Sequence, residues 1–307
     1  MKILLAPSSF GDVSDKPIEE LTAQGFDIVK NPYGRTLDSS ELQSLLSGCI
    51  GVIAGTEDYN LTILKNSKNL RIISRLGVGI DNINLDYARN ANINVTWCST
   101  SPASSVAELV LGLFINLSRN LIQMHNNMES GIWKKEMGTL LAGKTVGIIG
   151  LGKIGKKLVE ITQGFNFKYL AYDLHEDQKF SERYGVQYVN LESLLEKSNF
   201  ISVHLNNSEA NTNFINAEKI AIMKQSPILV NTSRGNVLNE DAIKNALLDK
   251  TISGLGLDVF KKEPYKPDKD FLKHNNVIFT PHIGSYAKEI REQMELEAVF
   301  NLLSHIK

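Results

Sequence analysis

The chain has 307 residues, 42% of them hydrophobic and 22% charged, and at roughly 100–200 residues per domain this length predicts two domains. The 33 basic and 34 acidic residues nearly cancel, which argues against a general electrostatic grip on nucleic acid. The two cysteines, Cys49 and Cys98, are too few for a disulfide scaffold or a cysteine-based zinc site, and they fit a reducing compartment.

The chain begins with MKILLAPSSF, which is too short and too weakly basic for a secretory signal and instead predicts a strand. The most apolar stretch runs from Val106 to Leu117, and it is too short and too often interrupted by polar residues to cross a bilayer. We therefore expect a cytoplasmic protein with neither a membrane nor a nucleic acid as partner.

Short apolar, β-branched segments alternate with helical patterns along the whole chain, which is typical of βαβ units. The predicted strands are residues 3–6, 26–29, 51–54, 72–74, 94–96, 145–149, 168–172, 187–189, 200–204, 228–231, 254–258 and 277–280. These are too many strands for one small sheet. We expect an α/β protein with two doubly wound parallel-sheet domains, of the Rossmann or flavodoxin-like type, and a cleft between them.

Two longer helices are predicted, at residues 104–128 and 285–306. The first half of the earlier helix is apolar on nearly every face, so we expect it between the two sheets or in a subunit interface. The first half of the last helix is charged, and we interpret it as a solvent-exposed face. Its charged residues are Lys288, Glu289, Arg291, Glu292, Glu295 and Glu297.

The strongest local signal is a G-x-G-x-x-G motif at residues 150–155, directly after an apolar strand and directly before a helical pattern. Gly150 would allow the tight turn, Gly152 would let the backbone approach a pyrophosphate, and Gly155 would permit close helix–strand packing. The next strand leads into Asp173, which can accept both ribose hydroxyls of NAD and would repel the 2′-phosphate of NADP. The motif predicts dinucleotide binding, with NAD as the cofactor.

Further motifs occur in a characteristic order around this one: SRLGVGIDN at 74–82, VAEL at 106–109, NTSRG at 231–235, GLDVFKKEP at 256–264 and TPHIG at 280–284. Together they resemble the NAD-dependent D-2-hydroxyacid dehydrogenases, especially the phosphoglycerate dehydrogenase-like branch, over nearly the whole chain. The resemblance implies a substrate domain of residues 1–100 plus 284–307 and an inserted NAD-binding Rossmann domain of residues 101–283. It also implies a homodimer, and a short form without a C-terminal regulatory domain.

The resemblance implies roles for individual residues as well. Arg234 would hold the substrate carboxylate and polarise its carbonyl, His282 would be the general acid and base, and Glu263 would be the partner of His282. Arg75 and the backbone near Val78 and Gly79 would bind the substrate. The residues expected to contact the cofactor are Val106, Gly150, Gly152, Lys153, Ile154, Gly155, Asp173, His204, Thr232, Asp258 and Gly284.

Some of these assignments have alternatives that the sequence leaves open. His204 ends a strand, where it could contact the cofactor or have a structural role, and Lys153 could contact phosphate or face solvent. The loop at Ala54 lacks the arginine that phosphoglycerate dehydrogenases often carry there, which weakens specificity for phosphoglycerate.

The chemistry of a hydroxy-acid dehydrogenase suits these residue types. A histidine can exchange the hydroxyl proton because imidazole titrates near working pH, and the planar fork of arginine can bind both carboxylate oxygens. We expect an NAD-dependent enzyme that interconverts a small D-2-hydroxy acid and its 2-oxo acid, with 3-phosphoglycerate as first candidate. The alternatives are a glyoxylate or hydroxypyruvate reductase and, in another class, an NAD(H)-sensing protein like the corepressors of this fold.

Overall fold

The computed structural model describes residues 1–306. Its strands are β1 (Lys2–Leu5), β2 (Asp27–Lys30), β3 (Cys49–Ala54), β4 (Ile72–Arg75), β5 (Asn94–Trp97), β6 (Thr145–Ile149), β7 (Lys168–Tyr172), β8 (Val186–Tyr188), β9 (Phe200–Val203), β10 (Ile228–Asn231), β11 (Gly254–Leu257) and β12 (Val277–Phe279). Its helices are α1 (Lys16–Ala23), α2 (Ser39–Leu45), α3 (Leu61–Asn66), α4 (Leu85–Asn90), α5 (Ala103–Arg119), α6 (Leu121–Glu129), α7 (Lys153–Ile161), α8 (Gln178–Tyr184), α9 (Leu191–Lys197), α10 (Ala217–Ala221), α11 (Glu240–Leu248), α12 (Lys269–Leu272) and α13 (Lys288–His305). All twelve predicted strands are present, and nine of them differ from the prediction by one or two residues at one or both ends.

The chain divides into two compact units. The first contains Met1–Ser101 and the segment from Tyr286 onward, and the second contains Pro102–Ser285. Each unit has one parallel sheet, of five strands in the order β2-β1-β3-β4-β5 and of seven strands in the order β12-β11-β10-β9-β6-β7-β8. The predicted fold class, with two doubly wound parallel sheets, is confirmed.

Both faces of the first sheet are covered. Leu4 and Val52 point to one face and pack with α2, α3 and α4, whereas their neighbours Leu5 and Ile53 point to the other and pack with α1 and α13. Successive strand residues face opposite sides, so a sheet covered on both faces requires continuous apolar runs rather than alternating ones. The first strands of the chain have this pattern.

The predicted single helix over residues 104–128 is wrong, because two helices, α5 and α6, lie there at 61° to each other. The break is at Asn120, whose backbone is left-handed with φ 53°. Asparagine tolerates this conformation better than most residues. The apolar residues on both sides of Asn120 keep a helical spacing, so the sequence pattern does not show the break. Helix α5 packs on α7, β10 and β11 of the second unit, and Val110 and Phe114 are fully buried there.

The interpretation of the last helix's charges as a solvated face is wrong for Arg291 and Glu295, which are only 5% and 0% exposed. The Arg291 Nε lies 2.7 Å from Glu295 Oε1, and the backbone N–H of Gly11 donates to Glu295 Oε2 at 3.1 Å. This buried pair attaches α13 to the loop after β1. The pair is spaced i,i+4, as solvated pairs also are, so local pattern could not reveal its burial.

A second carboxylate of α13 fixes the segment after β5. Glu297 accepts hydrogen bonds from the Ser99 backbone at 2.6 Å, the Ser99 hydroxyl at 2.7 Å and the Thr100 backbone at 3.0 Å. Burial by itself would raise the pKa of Glu297, but these hydrogen bonds outweigh it and lower the pKa to about 2. Glu297 is therefore a charged structural residue of the first unit.

Among the described helices, no single one is long and apolar enough to cross a membrane, and α5 and α6 meet the length and composition criteria only as a bent pair.

Candidate active site

Five of the predicted cofactor residues follow strands at the carboxyl edge of the second sheet, and Asp173, which follows β7, is one of them. Gly150 follows β6, His204 follows β9, Thr232 follows β10 and Asp258 follows β11. The chain winds from β6 towards β7 in one direction and later towards β9 in the other, so the strand order reverses between β6 and β9. Doubly wound sheets bind ligands at such a reversal, outside the carboxyl ends of the strands.

The glycine motif forms a tight turn between β6 and α7. Gly150 is left-handed with φ 92°, and a Cβ there would lie 2.8 Å from the carbonyl oxygen of His204. A Cβ on Gly155 would lie 2.7 Å from the carbonyl oxygen of Gly150, whereas one on Gly152 would meet nothing within 4 Å. Two glycines therefore allow close packing and the third leaves open space at the N-terminus of α7, where free N–H groups favour an anion. Of the two residues that follow, Lys153 is exposed and Ile154 half-buried.

Asp173 follows β7 and contacts this turn directly. Its Oδ2 accepts the backbone N–H of Leu151 at 2.7 Å, and its Oδ1 accepts that of His175 at 3.0 Å. The next residue, Leu174, is 84% exposed, so no basic side chain stands immediately after the acid. Asp173 therefore orders the glycine turn, a contact that sequence reasoning missed.

Two buried polar atoms at neighbouring strand ends have no hydrogen-bond partner among residues 1–306: Nδ1 of His204 and Oγ1 of Thr232. The other ring nitrogen of His204, Nε2, lies 2.9 Å from Ser202 Oγ. Burial lowers the pKa of His204 to about 4, so its ring is neutral at pH 7. Unpartnered buried polar groups are rare in folded proteins, and these two fit the polar atoms of a bound dinucleotide.

The predicted catalytic pair is in contact. His282 Nδ1 lies 2.8 Å from Glu263 Oε2, and Glu263 Oε1 accepts the backbone N–H of Phe260 at 3.1 Å. With its Nδ1 engaged, the imidazole keeps Nε2 for a second partner. His282 is one of few non-glycine residues with a left-handed backbone, at φ 54°, so its position needs support from its surroundings.

Asp258 supplies that support. It is 1% exposed, and its Oδ1 accepts the Thr280 hydroxyl at 2.6 Å and the Ile283 N–H at 2.8 Å, while Oδ2 accepts the Gly284 N–H at 2.9 Å. Burial raises the pKa of Asp258, and these bonds oppose that rise. A Cβ on Gly284 would lie 3.1 Å from Val106 and 3.2 Å from Asp258, so these three predicted residues are neighbours. The structure adds a role that the sequence did not indicate, because Asp258 bonds residues on both sides of His282.

Arg234 lies after β10, is half-buried and donates from Nη1 to the carbonyl of Ser233 at 2.8 Å. The Asn231 side chain makes two hydrogen bonds to this turn. Its Oδ1 accepts the Ser233 backbone N–H at 3.0 Å, and its Nδ2 donates to the Arg234 carbonyl oxygen at 2.8 Å. A Cβ on the next residue, Gly235, would overlap the backbone of Phe260. The absence of a side chain at Gly235 thus allows the loop that contains Glu263 to pack against the turn that contains Arg234. This role of Gly235 is visible only in the tertiary structure.

The remaining predicted residues, Arg75, Val78 and Gly79, belong to the first unit. Arg75 ends β4 and donates from Nη1 to the Leu76 carbonyl, and Val78 is 48% exposed in the loop that follows. They lie at the carboxyl edge of their own sheet.

A family model described as D-isomer specific 2-hydroxyacid dehydrogenase, NAD binding domain, matches residues 111–284. The chain belongs to the D-isomer-specific 2-hydroxyacid dehydrogenases. It is 35% identical over 261 residues to a glyoxylate reductase of Thermococcus litoralis, with 82% of this chain and 78% of that protein covered.

Other members of the family are similarly related. A D-3-phosphoglycerate dehydrogenase of Methanocaldococcus jannaschii is 35% identical over 254 residues, which cover 82% of this chain but 48% of that protein. The crystal structure of an Aquifex aeolicus D-lactate dehydrogenase complexed with NAD and lactic acid is 27% identical with a TM-score of 0.82, and covers 99% of this chain and 95% of that one. This dehydrogenase uses NAD and acts on small 2-hydroxy and 2-oxo acids, as its family does.

Proposed function

We propose that this dehydrogenase interconverts a D-2-hydroxy acid and its 2-oxo acid, with His282 as the residue that exchanges the hydroxyl proton. The proposal depends mainly on the 2.8 Å contact between His282 Nδ1 and Glu263 Oε2. The two residues lie on the loops that follow β12 and β11 of the seven-stranded sheet. Nicotinamide supplies the hydride acceptor or donor when the cofactor is bound.

The His282 ring works through its two nitrogens. In oxidation, Nε2 accepts the proton of the substrate hydroxyl while Nδ1–H donates to Glu263, whose negative charge stabilises the imidazolium that forms. In reduction the same Nε2 returns the proton to the carbonyl oxygen. Asp258 keeps the turn in place because it accepts bonds from residues before and after His282.

Substrate binding is assigned to cationic and backbone groups. The Arg234 guanidinium would engage the carboxylate and the carbonyl oxygen, since a planar fork can bind two oxygens together. In the first unit, Arg75 and the backbone near Val78 and Gly79 would hold the carboxylate, which makes this unit the substrate domain.

The cofactor is assigned to the carboxyl edge of the second sheet. The open N-terminus of α7, at Gly152, Lys153 and Ile154, would receive the pyrophosphate. Asp173 would bind the ribose hydroxyls, and the unpartnered atoms of His204 and Thr232 would face the remainder of the dinucleotide.

The test is NADH oxidation with a panel of 2-oxo acids that includes glyoxylate, hydroxypyruvate and phosphohydroxypyruvate. Loss of the general acid in His282→Ala should lower kcat/KM by about 10²–10⁴-fold, with NADH affinity retained. His305→Ala, which removes an exposed histidine of α13, is the matched control. Tight NADH binding without turnover of any acid would favour the NAD(H)-sensing alternative, and full turnover by His282→Ala would refute the proton role.

We also propose a homodimer. The segment 121–140 exposes seven large apolar side chains, between 44% and 95% accessible: Leu121, Ile122, Met128, Ile132, Trp133, Met137 and Leu140. An apolar set of this size on one segment is typical of an interaction surface. Sedimentation should give a dimer, and Trp133→Glu with Met137→Glu should convert it to monomers; a monomer at all concentrations in the wild type would refute the assignment.

A further inference from the structure

The loop after β3 contains a buried acid that no role assigned above uses. Glu57 is 2% exposed, and its Oε2 accepts the backbone N–H of Gly55 at 2.8 Å. A Cβ on Gly55 would lie 2.8 Å from the same oxygen, so the carboxylate occupies space that any larger residue would take. Acidic side chains are seldom fully buried unless they are paired, so a nearby cation is expected.

A cation lies on the adjacent strand, at Arg75. Residue 54, at the end of β3, is in register with Arg75 at the end of the adjacent strand β4. Burial is the main influence on the pKa of Glu57 and raises it, while backbone hydrogen bonds and then the positive charge of Arg75 oppose the rise. The fully buried hydroxyl of Tyr59 interacts electrostatically with both charges and has no hydrogen-bond partner within residues 1–306. Acid and guanidinium therefore share one shielded environment.

Hydrogen bonds hold the Glu57 loop against the loop that carries Val78 and Gly79. The Asn82 amide donates to the carbonyl oxygens of Gly55 at 3.0 Å and Glu57 at 2.7 Å. The Tyr59 N–H donates to the Asn82 carbonyl at 2.8 Å, so the two loops continue the pairing of their strands. The buried acid is thus fixed relative to the proposed substrate-binding loop.

The position of this loop is one where a ligand is expected. In the order β2-β1-β3-β4-β5 the winding reverses between β1 and β3, and doubly wound sheets of this order bind ligands at that reversal. Glu57 comes three residues after the end of β3. Its charge therefore acts where substrate atoms beyond the carboxylate would lie.

Cations are scarce at this edge. In the described loops that follow the five strands, and at the carboxyl ends of the strands themselves, the basic residues are Lys30, Arg35 and Arg75, of which only Arg75 belongs to β1, β3, β4 or the loops after them. Arg35 makes two hydrogen bonds to Glu41, at 2.8 and 2.7 Å. Arg291, beneath the loop after β1, is paired with Glu295. A substrate phosphate, which carries about two negative charges, would meet no second basic residue in the described loops after β1, β3 and β4.

We propose that Glu57 determines substrate specificity: as a buried negative charge beside Arg75, it offsets part of the positive potential of that guanidinium and so disfavours a second anionic group on the substrate. The enzyme then prefers 2-oxo acids with a short uncharged substituent, of the glyoxylate and hydroxypyruvate class, to phosphorylated ones. The inference rests on the proposed function and concerns the choice among its substrates.

The experiment compares kcat/KM for hydroxypyruvate and phosphohydroxypyruvate, which differ by the phosphate group alone. The wild type should favour hydroxypyruvate at least about tenfold, the effect of about 1.4 kcal/mol of charge repulsion. Glu57→Gln keeps the shape and removes the charge, and it should shift the ratio at least about tenfold towards the phosphorylated acid, mainly through its KM. Asp58→Asn removes the same charge from the adjacent exposed residue and should leave the ratio unchanged.

A second variant guards against misfolding of Glu57→Gln. Thr56→Arg adds a cation at a half-exposed position of the same loop, and it should shift the ratio in the same direction with Glu57 intact. Equal or better use of phosphohydroxypyruvate by the wild type would overturn the proposal, as would equal shifts in Glu57→Gln and Asp58→Asn. Absence of turnover with every 2-oxo acid would instead refute the proposed function, so the two failures are distinguishable.

Discussion

Replacing His204 by glutamine should remove part of the acid sensitivity of this protein's stability. Burial lowers the pKa of His204 to about 4 from the 6.5 of an exposed imidazole. Below pH 6.5 the unfolded chain binds a proton at this position that the folded chain does not. The free energy of unfolding therefore decreases as the pH is lowered. The contribution of the neutral His204 ring to the free energy of unfolding is fully present above pH 6.5 and fully lost below about pH 4.

The magnitude follows from the gap between the two pKa values. A gap of about 2.5 units corresponds to about 3.4 kcal/mol at 1.36 kcal/mol per unit, of which about 2 kcal/mol is lost between pH 7 and pH 5. The residue is accessible over part of its surface, which makes this figure an upper limit. Even half of it would be a substantial share of the stability of a domain.

The assay is urea unfolding at pH 7 and pH 5, followed by circular dichroism, for the wild type, His204→Gln and His175→Gln. His175 is an exposed histidine of the same unit, so its replacement should leave the pH dependence as in the wild type. His204→Gln should lose up to about 2 kcal/mol less than the wild type on going from pH 7 to pH 5. Equal losses of stability in His204→Gln and the wild type over this interval would contradict the lowered pKa of His204.

Three further predictions concern cofactor binding and the first unit. Gly155→Ala would place a Cβ 2.7 Å from the Gly150 carbonyl oxygen and should weaken NADH binding at least about tenfold by calorimetry, whereas Gly164→Ala, where a Cβ meets nothing within 4 Å, should not. Asp173→Ser should raise the KM for NADH and lower that for NADPH, since it removes the acceptor of the ribose hydroxyls and the repulsion of the 2′-phosphate; an unchanged cofactor preference would contradict this role. Glu297→Gln should cost at most about 3 kcal/mol of stability at pH 7. Because the pKa of Glu297 is lowered, the difference in free energy of unfolding between the wild type and Glu297→Gln is complete above pH 4.5 and disappears as the pH falls towards 2. A difference that does not depend on pH would contradict the assigned hydrogen bonds.

Much of the fold and the candidate site could be predicted from the sequence because their signals are local. Twelve short apolar segments separated by helical patterns predict parallel sheets, since strands covered on both faces need unbroken apolar runs. The glycine motif places a turn between β6 and α7, because Gly150 is left-handed and Gly155 leaves no room for a Cβ. The contact between Glu263 and His282, which the family resemblance implied, is present at 2.8 Å.

Tertiary structure alone decided which polar residues are buried and which atoms they contact. Arg291 and Glu295 have the spacing of an ordinary surface pair, and only packing of α13 on the first sheet buries them. Asp258 bonds a turn more than twenty residues further along the chain, and Glu57 meets the charge of Arg75 because β3 and β4 are neighbours in the sheet. The physical reason is common to all of these: helical and strand periodicity record which side of an element is apolar, whereas the solvation and charge partners of a polar side chain depend on segments distant in the chain.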